Sequence, residues 1–279
     1  MIRIVADTTS TIAPKEAERL GIYYLPQMII FGDKAYRDDN EITTKEFLEK
    51  LKNSQVLPKT AAPPPILYHP IYEQCSKQND TVIVICPSQK VSGTYRSASD
   101  AALEYPDMDI RIIDTQTIGS ALGTLVLKAL EWANEGKPAD LIVKSIEEMS
   151  KKARIYFYVD TLEYLHKGGR IGTATALVGS LLQVKPILIF INGQVNPFEK
   201  QRTKKKALAR IVDLVLSECP RTSESHLSIL EADALADAEA LRQEFQKSLN
   251  INSIQITDLP PAIIVHVGPG VVAASFFLD

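Results

Sequence analysis

Thr81-Val82-Ile83-Val84-Ile85-Cys86 is an unbroken run of strand-favouring residues, and Pro87-Ser88-Gln89-Lys90-Val91-Ser92-Gly93-Thr94-Tyr95 follows it directly. The run is short, β-branched and free of polar alternation, so it reads as a strand buried on both faces. Pro87 stops it, small polar residues turn the chain, and a helix is expected from about Tyr95 to Glu104. A strand covered on both sides belongs in a parallel sheet flanked by helices. This one unit therefore sets the fold class as α/β.

The same alternation extends toward the N-terminus. Ile2 to Ala6 reads as a second buried strand, ending in the polar turn Asp7-Thr8-Thr9-Ser10. Pro14 opens a helix where its missing N–H is harmless. Ile22 to Phe31 is expected to be a strand region and Thr43 to Leu51 a capped helix. Leu57 to Pro65 contains four prolines, which deny ladder donors and predict an ordered loop or linker carrying Thr60. A helix is expected from Ile66 to Lys77.

Toward the C-terminus, Ile110 to Asp114 reads as a strand and Ala121 to Glu135 as an apolar helix closed by Gly136. Beyond it the pattern changes. Ile155 to Asp160 is a strand, Gly168-Gly169 interrupts the chain, and Ala174 to Leu182 is an apolar segment. Pro186 to Val195 carries Asn192-Gly193, the strongest short hairpin signal. Helices are expected over Lys204 to Ser217 and Ala236 to Leu249. Strands are expected over Leu227 to Glu231, Ser253 to Thr257, Ala262 to Val267 and Val271 to Leu278. The reading gives two α/β domains, 1–160 with a parallel sheet and 161–279 of mixed α/β character. No internal repeat of solenoid period is present.

Composition excludes several classes of function. Hydrophobic residues at 45% and charged residues at 23% are those of a globular chain with a core. The net charge is −3, with Lys204-Lys205-Lys206 as the only basic run, which argues against a nucleic-acid partner. The three cysteines lack metal spacing and fit reduced thiols in the cytoplasm. No run approaches the ~20 apolar residues of a spanning helix, and the first residues are too short a run for a leader.

The residues with chemical potential are hydroxyls and a few cations. Ser92 and Thr94 flank Gly93 at the carboxyl end of a buried strand, where open α/β sheets bind ligands, and a helix start there favours an anion. The same residues also suit a plain helix cap. Arg170 follows Gly168-Gly169, which places it on an exposed turn with a fork for phosphate or carboxylate, or in a surface salt bridge. His266, before Gly268-Pro269-Gly270, is expected at a strand end as a donor to an anion, an acid–base group or a histidine bonded within the fold. Arg202 is an isolated cation. No histidine pair has ligand spacing, and no catalytic triad, carboxylate pair or phosphate-cradling loop is present, so no metal, cofactor or catalytic residue is assigned. These groups suit anion binding better than hydrolysis.

In order, Asp7-Thr8-Thr9, Lys59-Thr60, Val91-Ser92-Gly93-Thr94-Tyr95, Ile113-Asp114-Thr115, Tyr164-Leu165-His166-Lys167-Gly168-Gly169-Arg170-Ile171, Lys185-Pro186-Ile187-Leu188 and His266-Val267-Gly268-Pro269-Gly270 resemble the DegV family over the whole chain. The resemblance implies two α/β domains with a long-chain fatty acid such as palmitate between them. Thr60 and Ser92 match the family's head-group hydroxyls, joined by Gly93, Thr94 and His266. Arg170, Arg202 and His266 match its partner-facing or phosphoryl-transfer groups. It further implies a carrier rather than an enzyme, a separate fatty acid kinase catalytic subunit as partner, and room for transient membrane contact. The chain departs from the family where Ala61-Ala62 follow Thr60 in place of two polar residues.

Such a ligand makes physical sense. Hiding a sixteen-carbon tail is worth roughly 10 kcal/mol at about 0.8 kcal/mol per methylene. Expected tunnel walls are Leu177-Val178, Leu181-Leu182, Ile187 to Ile191 and Ile155 to Val159. Two other readings stand beside this one. One is an α/β enzyme binding a small phosphorylated metabolite at Ser92, and the other is an interaction protein without a ligand.

Overall fold

The computed structural model describes residues 1–177, 184–251 and 253–279. The first half runs β1 (Ile2–Asp7), α1 (Pro14–Leu20), β2 (Tyr23–Leu25), β3 (Met28–Phe31), β4 (Lys34–Arg37), α2 (Thr44–Lys52), β5 (Lys59–Ala61), α3 (His69–Lys77), β6 (Thr81–Cys86), α4 (Thr94–Ala102), β7 (Ile110–Asp114), α5 (Gly119–Asn134) and α6 (Ala139–Ser150). The second runs β8 (Ala153–Tyr158), α7 (Glu163–Lys167), β9 (Lys185–Ile191), β10 (Gln194–Gln201), α8 (Lys204–Glu218), β11 (Ser228–Ala232), α9 (Leu235–Leu249), β12 (Gln255–Asp258), α10 (Pro261–Val267) and β13 (Val271–Phe277).

The α/β class is as expected. β2-β1-β6-β7 form a parallel sheet. β6 is covered on both faces as its composition requires. Ile83 and Ile85 pack into the core shared with α5, while Val82, Val84 and Cys86 pack under α3 and α4. A six-stranded mixed sheet follows in the order β10-β9-β8-β13-β11-β12, parallel only between β11 and β12. Its strands also alternate. Ile155 and Phe157 of β8 face the core shared with the parallel sheet, whereas Tyr156 and Tyr158 face α8 and α9. β8 thus pairs within the second sheet although it precedes residue 160.

Three local expectations are corrected. Ile22 to Phe31 is split at Pro26 into β2 and β3, which belong to different sheets. β3 joins β4 and β5 in a small antiparallel sheet. Thr60 therefore lies on a strand, opposite Ile29, and not in the expected ordered loop or linker. Ala262 to Val267 is helix α10, started by Pro261. An apolar run buried on every side carries no period by which strand and helix can be told apart. Finally, α6 was not anticipated. Of the apolar segment Ala174 to Leu182, residues 178–183 lie outside the described residues.

Two contacts draw the sheets together around one space. A methyl at Gly123 of α5 would collide with the Ser10 carbonyl, so only glycine lets this helix approach the turn after β1. The β9–β10 turn has φ of 54° at Asn192 and 78° at Gly193, the left-handed pair such a hairpin needs. Its carbonyls receive Ser88 Oγ on Gly193 at 2.7 Å and Lys90 Nζ on Asn192 at 2.9 Å. The loop after β6 is thereby fastened to the second sheet. Among the described residues, no helix is long and apolar enough to cross a membrane.

Candidate functional site

A cavity of about 110 Å³ lies between the carboxyl ends of β1 and β6 and the inner face of the mixed sheet. Its walls are mostly carbon. Ile155 and Phe157 of β8, Phe190 of β9, Ile263 of α10 and Ile118 before α5 are among them. Polar side chains in the lining are Thr60, Ser92, Arg170 and His266 together with Thr9 and Gln27. Of the expected walls, β8 and β9 contribute Ile155, Phe157 and Phe190. Ile187 and Ile189 face away into the outer core, Leu177 does not line the cavity, and Val178, Leu181 and Leu182 lie outside the described residues.

Thr60 reaches the cavity because β5 hydrogen-bonds to β3. The chain then passes over the start of α4, where Ser97 Oγ donates to the Pro63 carbonyl. Ala62 Cβ lies 3.4 Å from the place a Gly93 side chain would occupy. Thr60 Oγ1 sits 2.9 Å from His266 Nε2. Burial, with the Arg170 guanidinium adding to it, pushes His266 down to about 4, so the ring is neutral near pH 7. His266 Nδ1 is buried without a partner, and a methyl at Gly168 would run into it. With its proton on Nε2, the ring donates to Thr60 and leaves the threonine's own O–H free for a ligand.

Arg170 corrects a sequence expectation. The double glycine does not hold it out on an exposed turn. It is half-buried in the cavity wall, where Nε donates to the Val91 carbonyl at 3.1 Å and Nη1 to the Gly168 carbonyl at 2.8 Å. Its pKa is lowered by burial. Neutral backbone acceptors hold the guanidinium without cancelling its charge. Arg202 is exposed and does not line the cavity.

Ser92 and Gly93 line the cavity as expected, but Thr94 does not. Ser92 is not the helix cap, since Gly93 occupies that place. Its hydroxyl lies 3.0 Å from Thr94 Oγ1, which in turn donates to Asp7 Oδ2 at 2.6 Å. Asp7 is 1% exposed. It also accepts from Gln27 Nε2 at 2.7 Å, from the Thr9 backbone N–H at 2.9 Å and from Thr9 Oγ1. Thr94 thus stands one layer behind the cavity surface. Sequence reasoning missed this layer. Asp7 was noted only as a landmark, and the sole signal for Gln27 is an amide inside the apolar stretch Tyr23 to Phe31.

Chemically, the site offers two neutral hydroxyls, a neutral imidazole and one cation beside a carbon-lined space. That arrangement suits a small anionic head joined to an apolar body. Among the described residues no group of histidine, cysteine or carboxylate side chains could hold a metal ion.

The sequence profile described as "Uncharacterised protein, DegV family" matches residues 1–279. A DegV domain-containing protein of Halalkalibacterium halodurans is 34% identical over 100% of this chain and 99% of its own. DegV of Bacillus subtilis, described as a fatty acid binding protein, has a crystal structure similar to this fold with a TM-score of 0.88 at 32% identity, covering 100% of this chain and 99% of that one. A DegV family protein from Thermus thermophilus, described for its fatty acid binding, gives a TM-score of 0.90 at 30% identity over the same shares.

Proposed function

The chain belongs to the DegV family, and from that premise we propose that it binds one long-chain fatty acid and presents the carboxylate to a separate fatty acid kinase. The observation that carries this reading is a cavity lined mostly by carbon, with the neutral hydroxyl residues Thr60 and Ser92 in its lining. Burying the tail provides most of the binding free energy. Thr60 and Ser92 then orient the head without neutralising it as a nucleophile. The description of DegV relatives as fatty acid binding proteins supports the same ligand.

In this reading the protein is a cytoplasmic carrier without a cofactor, and the acyl phosphate forms at the kinase. Arg170, at the cavity, favours charge that develops on the head during transfer, and exposed Arg202 faces the kinase. The ligand lies between two α/β domains, with the boundary drawn before β8 because β8 pairs in the second sheet. The test is reconstitution of the lipid-loaded protein with the kinase subunit and ATP, trapping acyl phosphate with hydroxylamine. Fatty hydroxamate formed only when this protein is present supports the proposal. No hydroxamate from a loaded protein and an active kinase contradicts presentation to that partner.

A further inference from the structure

Behind Ser92 runs a closed chain of proton-bearing groups ending on a buried carboxyl. Ser92 Oγ, Thr94 Oγ1 and Asp7 Oδ2 follow one another at 3.0 and 2.6 Å. Gln27 Nε2 braces the last link, 3.0 Å from Thr94 Oγ1 and 2.7 Å from Asp7 Oδ2. Among the described residues no Lys or Arg pairs with Asp7. Its bonded partners are Thr9, Gln27 and Thr94.

Each hydroxyl has one proton, so the charge on Asp7 sets the direction of the chain. When Asp7 is ionised, Thr94 must donate to it. The Ser92–Thr94 bond then requires Ser92 as its donor, and in that bond the Ser92 proton points away from the cavity. When Asp7 Oδ2 carries a proton, that proton goes to Thr94 Oγ1. Thr94 then turns its own proton to Ser92, and Ser92 turns its proton into the cavity. Only the second arrangement presents Ser92 as a donor to an anion while keeping the Ser92–Thr94 hydrogen bond.

We propose that Asp7 is a positioning residue whose protonation, relayed through Thr94, makes Ser92 a donor to the ligand's carboxylate, so that one proton is taken up from solvent with each anion bound. This rests on the fatty acid reading above. The proton comes from the buffer's conjugate acid and settles on Asp7 Oδ2. No other bond is made or broken, because Thr94 and Ser92 merely rotate their O–H groups. Burial already pushes the Asp7 carboxyl up, and a second anion nearby pushes the same way.

Other titratable groups face Asp7 from the packed elements. Asp38, beyond β4, is joined to the Asp7 layer through the Gln27 backbone N–H and Thr8. Tyr24 of β2, Tyr68 before α3 and Cys86 of β6 all have raised pKa values, each with Asp7 among the causes. They therefore stay protonated near pH 7 and have no site for a further proton. His266 and Arg170 also line the cavity. Asp38 and His266 are thus the groups from which Asp7 must be separated.

Calorimetric titration of delipidated protein with dodecanoate, in buffers of different ionisation enthalpy between pH 7 and 8.5, counts the protons. The wild type should take up close to one proton, with affinity falling about tenfold per pH unit above the free-state Asp7 pKa. Asp7→Asn should abolish both effects, Asp38→Asn should keep both, and dodecanol should show no uptake. Uptake that persists in Asp7→Asn assigns the proton to His266 or to the ligand and overturns the proposal. So does binding to the wild type without uptake. A wild type that binds no dodecanoate removes the fatty acid reading and the linkage together. Should Asp7→Asn fail to fold, NMR of carboxyl-labelled wild type and Asp38→Asn gives the answer. In the Asp38→Asn background one aspartate carboxyl must still gain a proton on ligand addition, and no change there overturns the proposal.

Discussion

Thr60 Oγ1 and His266 Nε2 lie 2.9 Å apart although 206 residues separate them in the chain. One stands on β5 of the small antiparallel sheet and the other on α10 beside the mixed sheet. Both side chains line the cavity.

Thr60→Val should weaken fatty acid binding, because it removes a donor to a charged group worth about 1.5–3 kcal/mol. Ser92→Ala should do so by a similar amount without changing the unfolding temperature. Affinities for a fluorescent fatty acid, measured for both single variants and the double, check this. The effects should be non-additive if the two hydroxyls meet one carboxylate. Strict additivity would place them on separate groups.

Arg170 lines the cavity, so Arg170→Ala is predicted to reduce affinity for the fatty acid by about tenfold or more, the order expected for a charged hydrogen-bond partner. The same chain as an alcohol should be hardly affected. Paired titrations with acid and alcohol read this out. Equal affinities for the acid in mutant and wild type would return Arg170 to the purely partner-facing role that its glycine turn suggests.

How much was legible beforehand follows from which interactions are local. Strand β6 and its turn could be read because a doubly buried strand has its own composition. The Asn192-Gly193 hairpin could be read because the turn's backbone demands those residues. Ser92 is legible from its place at the carboxyl end of a buried strand, whereas the role of Thr60 comes only through the resemblance. The placement of Arg170 was not legible, since its partners, the Val91 and Gly168 carbonyls, are backbone groups without a sequence signature. Strand β5 depends on pairing with β3, about thirty residues away, and prolines around it disguise a short strand. The Asp7, Gln27 and Thr94 layer was missed for the same reason. Its members come from three segments that only the fold brings together.

Asp38 provides a pH test of the buried polar layer. Burial raises its carboxyl to about 7, and its Oδ2 has no partner. The native state therefore holds a proton that the unfolded chain has released. The stability from this group is full below the ordinary carboxylate range and is lost as pH rises through about 7. His266, lowered to about 4, acts in the opposite direction between about 4 and 6.5. Asp38→Asn isolates the first effect. Its unfolding temperature relative to wild type should rise between pH 5 and 8. A difference that stays constant with pH would mean that Asp38 is ionised throughout.

Fatty acid binding in this cavity is read out by organic extraction of the purified native protein followed by quantitative mass spectrometry. About one long-chain fatty acid per chain is the expected yield, with occupancy reduced in Ser92→Ala and Thr60→Val. A protein that yields no lipid and takes none up on incubation would contradict it, as would one that yields a phosphorylated metabolite instead.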